Sequence, residues 1–229
     1  MGILERHAPR IGTDRLKALA DGVFAIVMTL LAFGLAVPSI SGRATDAELS
    51  RHLLTMWPDF LIYILSFLVL GMFWVIHHQS FDGIARYDHT LSWLNIAFLL
   101  FVALLPFTTS LLGRYGVMKT TALAYGVNML LPFAFSWAIW LYVTGKHRLI
   151  RREVPPSVAR GARVMGAIYL VVTLVAAALA FISPLVSLVT YAVIVGLFIV
   201  LSALNKWQQV LVWRATAGNR SGSRGIDED

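Results

Sequence analysis

Three features of this 229-residue sequence point to an all-α membrane protein with six transmembrane helices per subunit. Its composition is 58% hydrophobic and only 14% charged, with a mean hydropathy of +0.74. Soluble domains carry about 45–50% apolar and roughly 25% charged residues, so too little polar material is left to cover a surface in water. The apolar residues also gather into six runs near the length of about 20 residues that crosses a hydrocarbon core. Finally, Lys and Arg fall almost entirely on one side of those runs. The chain has no cysteine, which excludes a disulfide scaffold and any thiolate metal or redox site.

The first run extends from about Leu16 to Val37 and stops at Pro38, before a polar stretch from Ser39 to Arg51. The second covers Leu53 to His77, the third Leu91 to Leu112 and the fourth Thr121 to Thr144. Pro58, Pro106 and Pro132 lie in or near these spans, which membrane helices tolerate. The fifth covers Val164 to Ile182, and Ser183-Pro184 turns it into a sixth from Leu185 to Leu204. Gly166 and Ala176-Ala177-Ala178 in the fifth are small residues suited to close helix packing. The division expected along the chain is a cytoplasmic segment 1–14, a six-helix domain 15–213, and a disordered cytoplasmic tail 214–229.

Six spans place both termini on one side, and the basic residues can then be sorted. Only Arg43, Arg51, Arg114 and Lys119 fall on the far side; the other 15 of the 19 fall with the termini. Cytoplasmic loops retain Lys and Arg, so both termini are expected in the cytoplasm. The net charge of +7 and pI near 10.1 are therefore a topology signal, and no nucleic-acid partner is expected. Gly34-Leu35-Ala36 resembles a signal-cleavage site, but the apolar run before it exceeds a typical signal core and carries polar residues a discarded segment would not need. The first span is expected to be retained.

Ionisable residues within a membrane are costly and therefore mark function. The first span opens with Arg15 and Asp21, and the bland reading of Asp21 is a solvated first turn paired with Lys17 at i,i+4. His77 at the end of the second span and Asn95 near the start of the third lie at the same depth. Donors and acceptors from three helices can meet there. His78 and His89 read as interfacial residues, and the six histidines have no spacing suited to a metal, so no metal or cofactor is expected. With no nucleophile and base at a suitable spacing, no enzyme activity is expected either.

At about 100° per residue, Gly22, Ile26, Thr29, Leu30, Phe33 and Val37 form one stripe of the first helix, apolar apart from Thr29. Asp21 lies about 140° from Ile26 around the axis, so the polar cluster and the stripe face different ways. A stripe of this kind either meets lipid or a neighbouring helix, or converges with its copies on an axis and lines a pore that closes by dewetting. The pore reading demands an oligomer.

The segment from Arg15 to Asp21, followed by Gly22-Val23-Phe24-Ala25-Ile26, resembles the opening of the transmembrane protein 175 family, the endolysosomal potassium channels and their bacterial relatives, which begin R-x-x-x-F-S-D. Leu19 and Ala20 replace the family's Phe and Ser. Trp74 and His77 in the second span, and Trp93, Asn95, Pro106 and Thr108 in the third, extend the likeness over the first three helices. The resemblance implies a homotetramer in the cell membrane, with the first helices around a potassium pathway and no re-entrant filter loop. It further implies a hydrophobic constriction at Ile26, Leu30 and Phe33, a contribution to selectivity from Thr29, and a polar network of Arg15, Asp21, Trp74, His77 and Asn95. Arg15 lies close to the stripe, where an unpaired cation would repel potassium, so it is expected to be neutralised, with Asp21 of the same or a neighbouring subunit the nearest candidate in sequence. The alternative is a proton- or solute-coupled transporter that relays protons through Asp21 and His77.

Overall fold

The computed structural model describes residues 13–35, 37, 45–145, 149–151 and 154–222, with side chains through Leu204. Its helices are α1 (Asp14–Ala32), α2 (Asp46–Thr55), α3 (Trp57–Asp82), α4 (His89–Ala103), α5 (Leu105–Tyr115), α6 (Lys119–Thr144), α7 (Pro156–Leu179) and α8 (Pro184–Gly222). Among the described residues, five segments are long and apolar enough to cross a membrane: α3, α4 with α5, α6, α7, and α8 through Leu204. The 19 residues of α1 would extend about 28 Å, close to the thickness of a hydrocarbon core, but Asp14, Arg15, Lys17 and Asp21 make it far more polar than the others.

Five of the six expected spans are recovered with shifted ends, and α1 stands in the place of the first. The sequence suggests a first span reaching Val37, but α1 stops at Ala32 and 33–35 form tight turns with Phe33, Gly34 and Leu35 donating to carbonyls three residues back. A side chain at Gly34 would stand 2.8 Å from Ser110 Oγ, so glycine lets the end of α1 close on α5. Leu53, the expected start of the second span, belongs instead to α2. Pro58, in the first turn of α3, suits a helix start, where its missing N–H costs nothing. Part of the polar stretch before it is helical because Thr45 and Glu48 form a capping box, Glu48 N–H to Thr45 Oγ1 at 3.3 Å and Thr45 N–H to Glu48 Oε2 at 3.2 Å.

The third span is broken at Leu104 between α4 and α5. Pro106 removes one backbone donor, and the buried Asn128 amide inserts at the break, its nitrogen donating to Phe101 O at 3.1 Å and its oxygen accepting from Leu105 N at 3.3 Å. The fifth helix begins at Pro156, two turns before the expected Val164, and ends at Leu179. Its small residues serve packing as expected: a side chain at Gly126 of α6 would stand 3.2 Å from Ala177 Cβ, and one at Gly166 of α7 would collide with Trp137. The first residues of the expected cytoplasmic segment, 1–12, and the end of the expected tail, 223–229, lie outside the described residues.

The buried residues form one core shared by all the long helices. At one end, the loops joining α3 to α4 and α6 to α7 are clasped by Ala85 N–H to Leu149 O at 2.8 Å and Arg151 N–H to Gly83 O at 2.9 Å. Arg163 secures the same end, donating from Nε to Thr144 Oγ1 and from Nη2 to Thr144 O at 2.6 and 2.7 Å.

Candidate functional site

The sequence of α1 divides it into two faces. Leu16, Ala20, Phe24, Val27 and Leu31, spaced three and four apart, are buried against α3, α4 and α5. The stripe singled out from periodicity looks the other way: Ile26 is 61% exposed, Leu30 45%, Phe33 85% and Val37 89%, with Leu19 on the same face. Thr29 is also exposed, and its hydroxyl donates to Ile26 O at 2.7 Å. Its proton is thereby committed to the helix, while its oxygen retains acceptor capacity toward the outside. Phe33 sits just past the helix end, in the first tight turn.

Polar contacts fasten α1 to the rest of the subunit. The Trp74 indole donates to Asp21 Oδ1 at 2.8 Å, and Lys17 Nζ donates to Asp82 Oδ1 at 2.5 Å. Deeper in, His77 Nε2 and Asn95 Oδ1 are 2.8 Å apart and both residues are buried. The His77 ring stacks on Phe81 and Phe98, with centroids 4.2 and 5.3 Å away, and Phe24 of α1 packs on its third side at 6.3 Å. Asn95 Nδ2 is buried with no hydrogen-bond partner among the described residues.

The expected network is therefore two separate pairs. Asp21 holds Trp74 and His77 holds Asn95, with Phe24 of α1 packed against the second pair. Within the subunit Asp21 does not neutralise Arg15, which makes no ion pair among the described residues. Six residues apart on one helix, the two side chains differ by about 120° in direction and 9 Å in height, so they diverge. The i,i+4 pairing of Lys17 with Asp21 is also not formed, because Asp82 at the end of α3 takes the ammonium group. Asp82 was missed in the sequence because it follows the expected end of the second span. Its second oxygen lies 3.6 Å from His78 Nε2. His78 is exposed near the end of α3, and His89 accepts from the Trp93 indole at 2.9 Å.

A family model described as the endosomal/lysosomal potassium channel TMEM175 matches residues 15–106, from the start of α1 to the break between α4 and α5. A relative from Streptomyces collinus named as a potassium channel is 35% identical over 156 residues, which cover 66% of this chain and 74% of that one. The endosomal/lysosomal proton channel TMEM175 of Gallus gallus is 28% identical over 139 residues, 57% of this chain but only 28% of its own longer length. Among solved structures, a lysosomal potassium-selective channel TMEM175 homologue from Chamaesiphon minutus superposes with a TM-score of 0.73 at 29% identity, covering 83% of this chain and 97% of that one. A second, a variant of the potassium channel MtTMEM175 in complex with a nanobody fusion protein, shares the fold at a TM-score of 0.58 and 15% identity, over 84% and 93% of the two chains. With its outward apolar stripe, its anchored first helix and these likenesses taken together, the chain belongs to the TMEM175 family.

Proposed function

We propose that this chain is the subunit of a potassium-permeable channel of the cell membrane. Four copies surround one axis, each contributes six membrane-spanning helices with α1 as the first, and both termini face the cytoplasm. The observation that carries this reading is the division of α1 into a buried face and an exposed apolar row from Leu19 to Phe33 on the same helix as exposed Arg15 and Asp21. Facing lipid, that helix would hold the Arg15 guanidinium on the lipid side of the bundle, where a charge costs free energy. Facing a water-filled axis, the apolar row lines its wall and Arg15 stands at its mouth, where this reading requires an acid of a neighbouring subunit to neutralise it.

In this reading Ile26, Leu30 and Phe33 form successive hydrophobic rings, with Thr29 between the first two. Such rings offer a dehydrating cation no ligand, so the narrow state is a barrier by dewetting and conduction requires widening. The Thr29 oxygen is the polar group available to a passing ion at the constriction, and this supports its place in selectivity. Asp21 with Trp74, Lys17 with Asp82 and the stacked His77 set the rotation of the helix, and with it which residues reach the axis. A proton relay from Asp21 to His77, as a transporter would need, is disfavoured, since the two residues bind different partners.

Purified protein in liposomes with a potassium gradient tests the reading. Potassium flux is expected, and Leu30→Asn should raise it by roughly tenfold, equal to removing about 1.4 kcal/mol of barrier. Absence of flux, or flux indifferent to Leu30→Asn, refutes the assignment, and a pH-sensitive dye in the same vesicles separates proton from potassium permeation.

A further inference from the structure

A cavity of about 360 Å³ lies away from the exposed face of α1, between α3, α6, α7 and α8, toward the end of the bundle where the two loops are clasped. Its polar wall atoms are largely engaged by the protein itself. The Trp137 indole donates to Arg163 O at 3.0 Å, the Trp140 indole to Ser80 Oγ at 2.8 Å, and Ser80 Oγ to Ile76 O at 2.7 Å. Gln79, Ser136 and Tyr169 add a polar minority to the wall, and the rest of the surface facing the space is ring and aliphatic, so an apolar occupant fits it better than water. A void of this size inside a packed protein forfeits contact energy unless something apolar fills it. Val158 and Met165 on its rim are 55% and 50% exposed, so it is open to the surroundings.

Two features define the occupant. Trp137 and Trp140 have their polar edges satisfied and their bodies toward the cavity, the amphipathic placement such rings take at a membrane interface. At the same end Arg151 is held through its backbone N–H on Gly83 O, and among the described residues its exposed side chain bonds through Nε to Ile84 O at 3.4 Å. Gly83 and Val154, which brackets Arg151 on the other side, both line the cavity. A guanidinium with further donors beside an apolar slot matches a phosphate joined to a hydrocarbon chain. We propose that the cavity holds an acyl chain of an anionic phospholipid from the adjacent leaflet, with its phosphate at Arg151. Only the naming of that leaflet as cytoplasmic rests on the proposed channel topology.

The test reads lipid retention and is therefore separate from conduction. Full-length protein is stripped of lipid in detergent, exposed to phosphatidylglycerol or phosphatidylcholine, and examined by native mass spectrometry. Phosphatidylglycerol should be retained about tenfold more tightly than phosphatidylcholine, Ala162→Phe should abolish the retained lipid by filling the cavity, and Arg151→Gln should remove the headgroup preference. Equal retention of the two lipids by the parent chain, or undiminished phosphatidylglycerol in Ala162→Phe, overturns the proposal. Ala162→Cys guards against misfolding of the larger variant, because the chain has no native cysteine. Phosphatidylglycerol should slow its reaction with a membrane-soluble maleimide, whereas no protection, or ready disulfide linkage to a second copy, overturns the site.

Discussion

His77 shows how one residue can fix an interface inside a membrane. Its ring is stacked between Phe81 and Phe98, touched by Phe24, and bonded at Nε2 to Asn95. Polar groups there have no water to fall back on, so each partner depends on the other. Asn95→Ala leaves the buried imidazole without its partner and should cost about 1–3 kcal/mol, read as a lowered midpoint of thermal unfolding in detergent. A midpoint unchanged from the parent would show that the pair contributes nothing. These residues were legible in the sequence because ionisable and amide groups are rare in apolar runs. Their partners were only half legible: depth brought Asp21, His77 and Asn95 to one end and the family resemblance added Trp74, but the pairing depends on helix rotation, which no single span reveals.

Among the elements, five of the long apolar runs were legible because a membrane span needs both length and hydropathy, and both are visible in the chain. The ends were misplaced where a local device acts. The capping box at Thr45 and Glu48 was a sequence signal that was passed over, and it extends helix into the polar stretch. The break at Leu104 was half visible in Pro106, whereas the bridging Asn128 comes from the next long helix, α6. The meeting of α6 with α7 and α8 rests on small residues: a side chain at Gly126 would stand 2.7 Å from Tyr191 Oη and 3.2 Å from Ala177 Cβ. Gly126→Leu should therefore cost about 1–3 kcal/mol through forced repacking, seen as a lower unfolding midpoint, while a parental midpoint would mean the interface is looser than this packing implies.

Across the whole molecule, the scarcity of charge defines a membrane protein, and the few charges that enter α1 define its working part. The stripe from Gly22 to Phe33 was found by periodicity alone, and the subunit exposes it. What periodicity leaves open is the medium that stripe meets, since lipid and a pore axis both lie outside the subunit. That question belongs to the assembly. The cysteine-free chain lets it be answered directly, with single cysteines at Leu30 on α1 and at Val171, 58% exposed on α7. In liposomes, a water-soluble cationic thiol reagent should block potassium flux through Leu30→Cys and leave Val171→Cys unaffected. Flux through Leu30→Cys that persists after complete labelling, or an equal block at both positions, would contradict a pathway lined by α1.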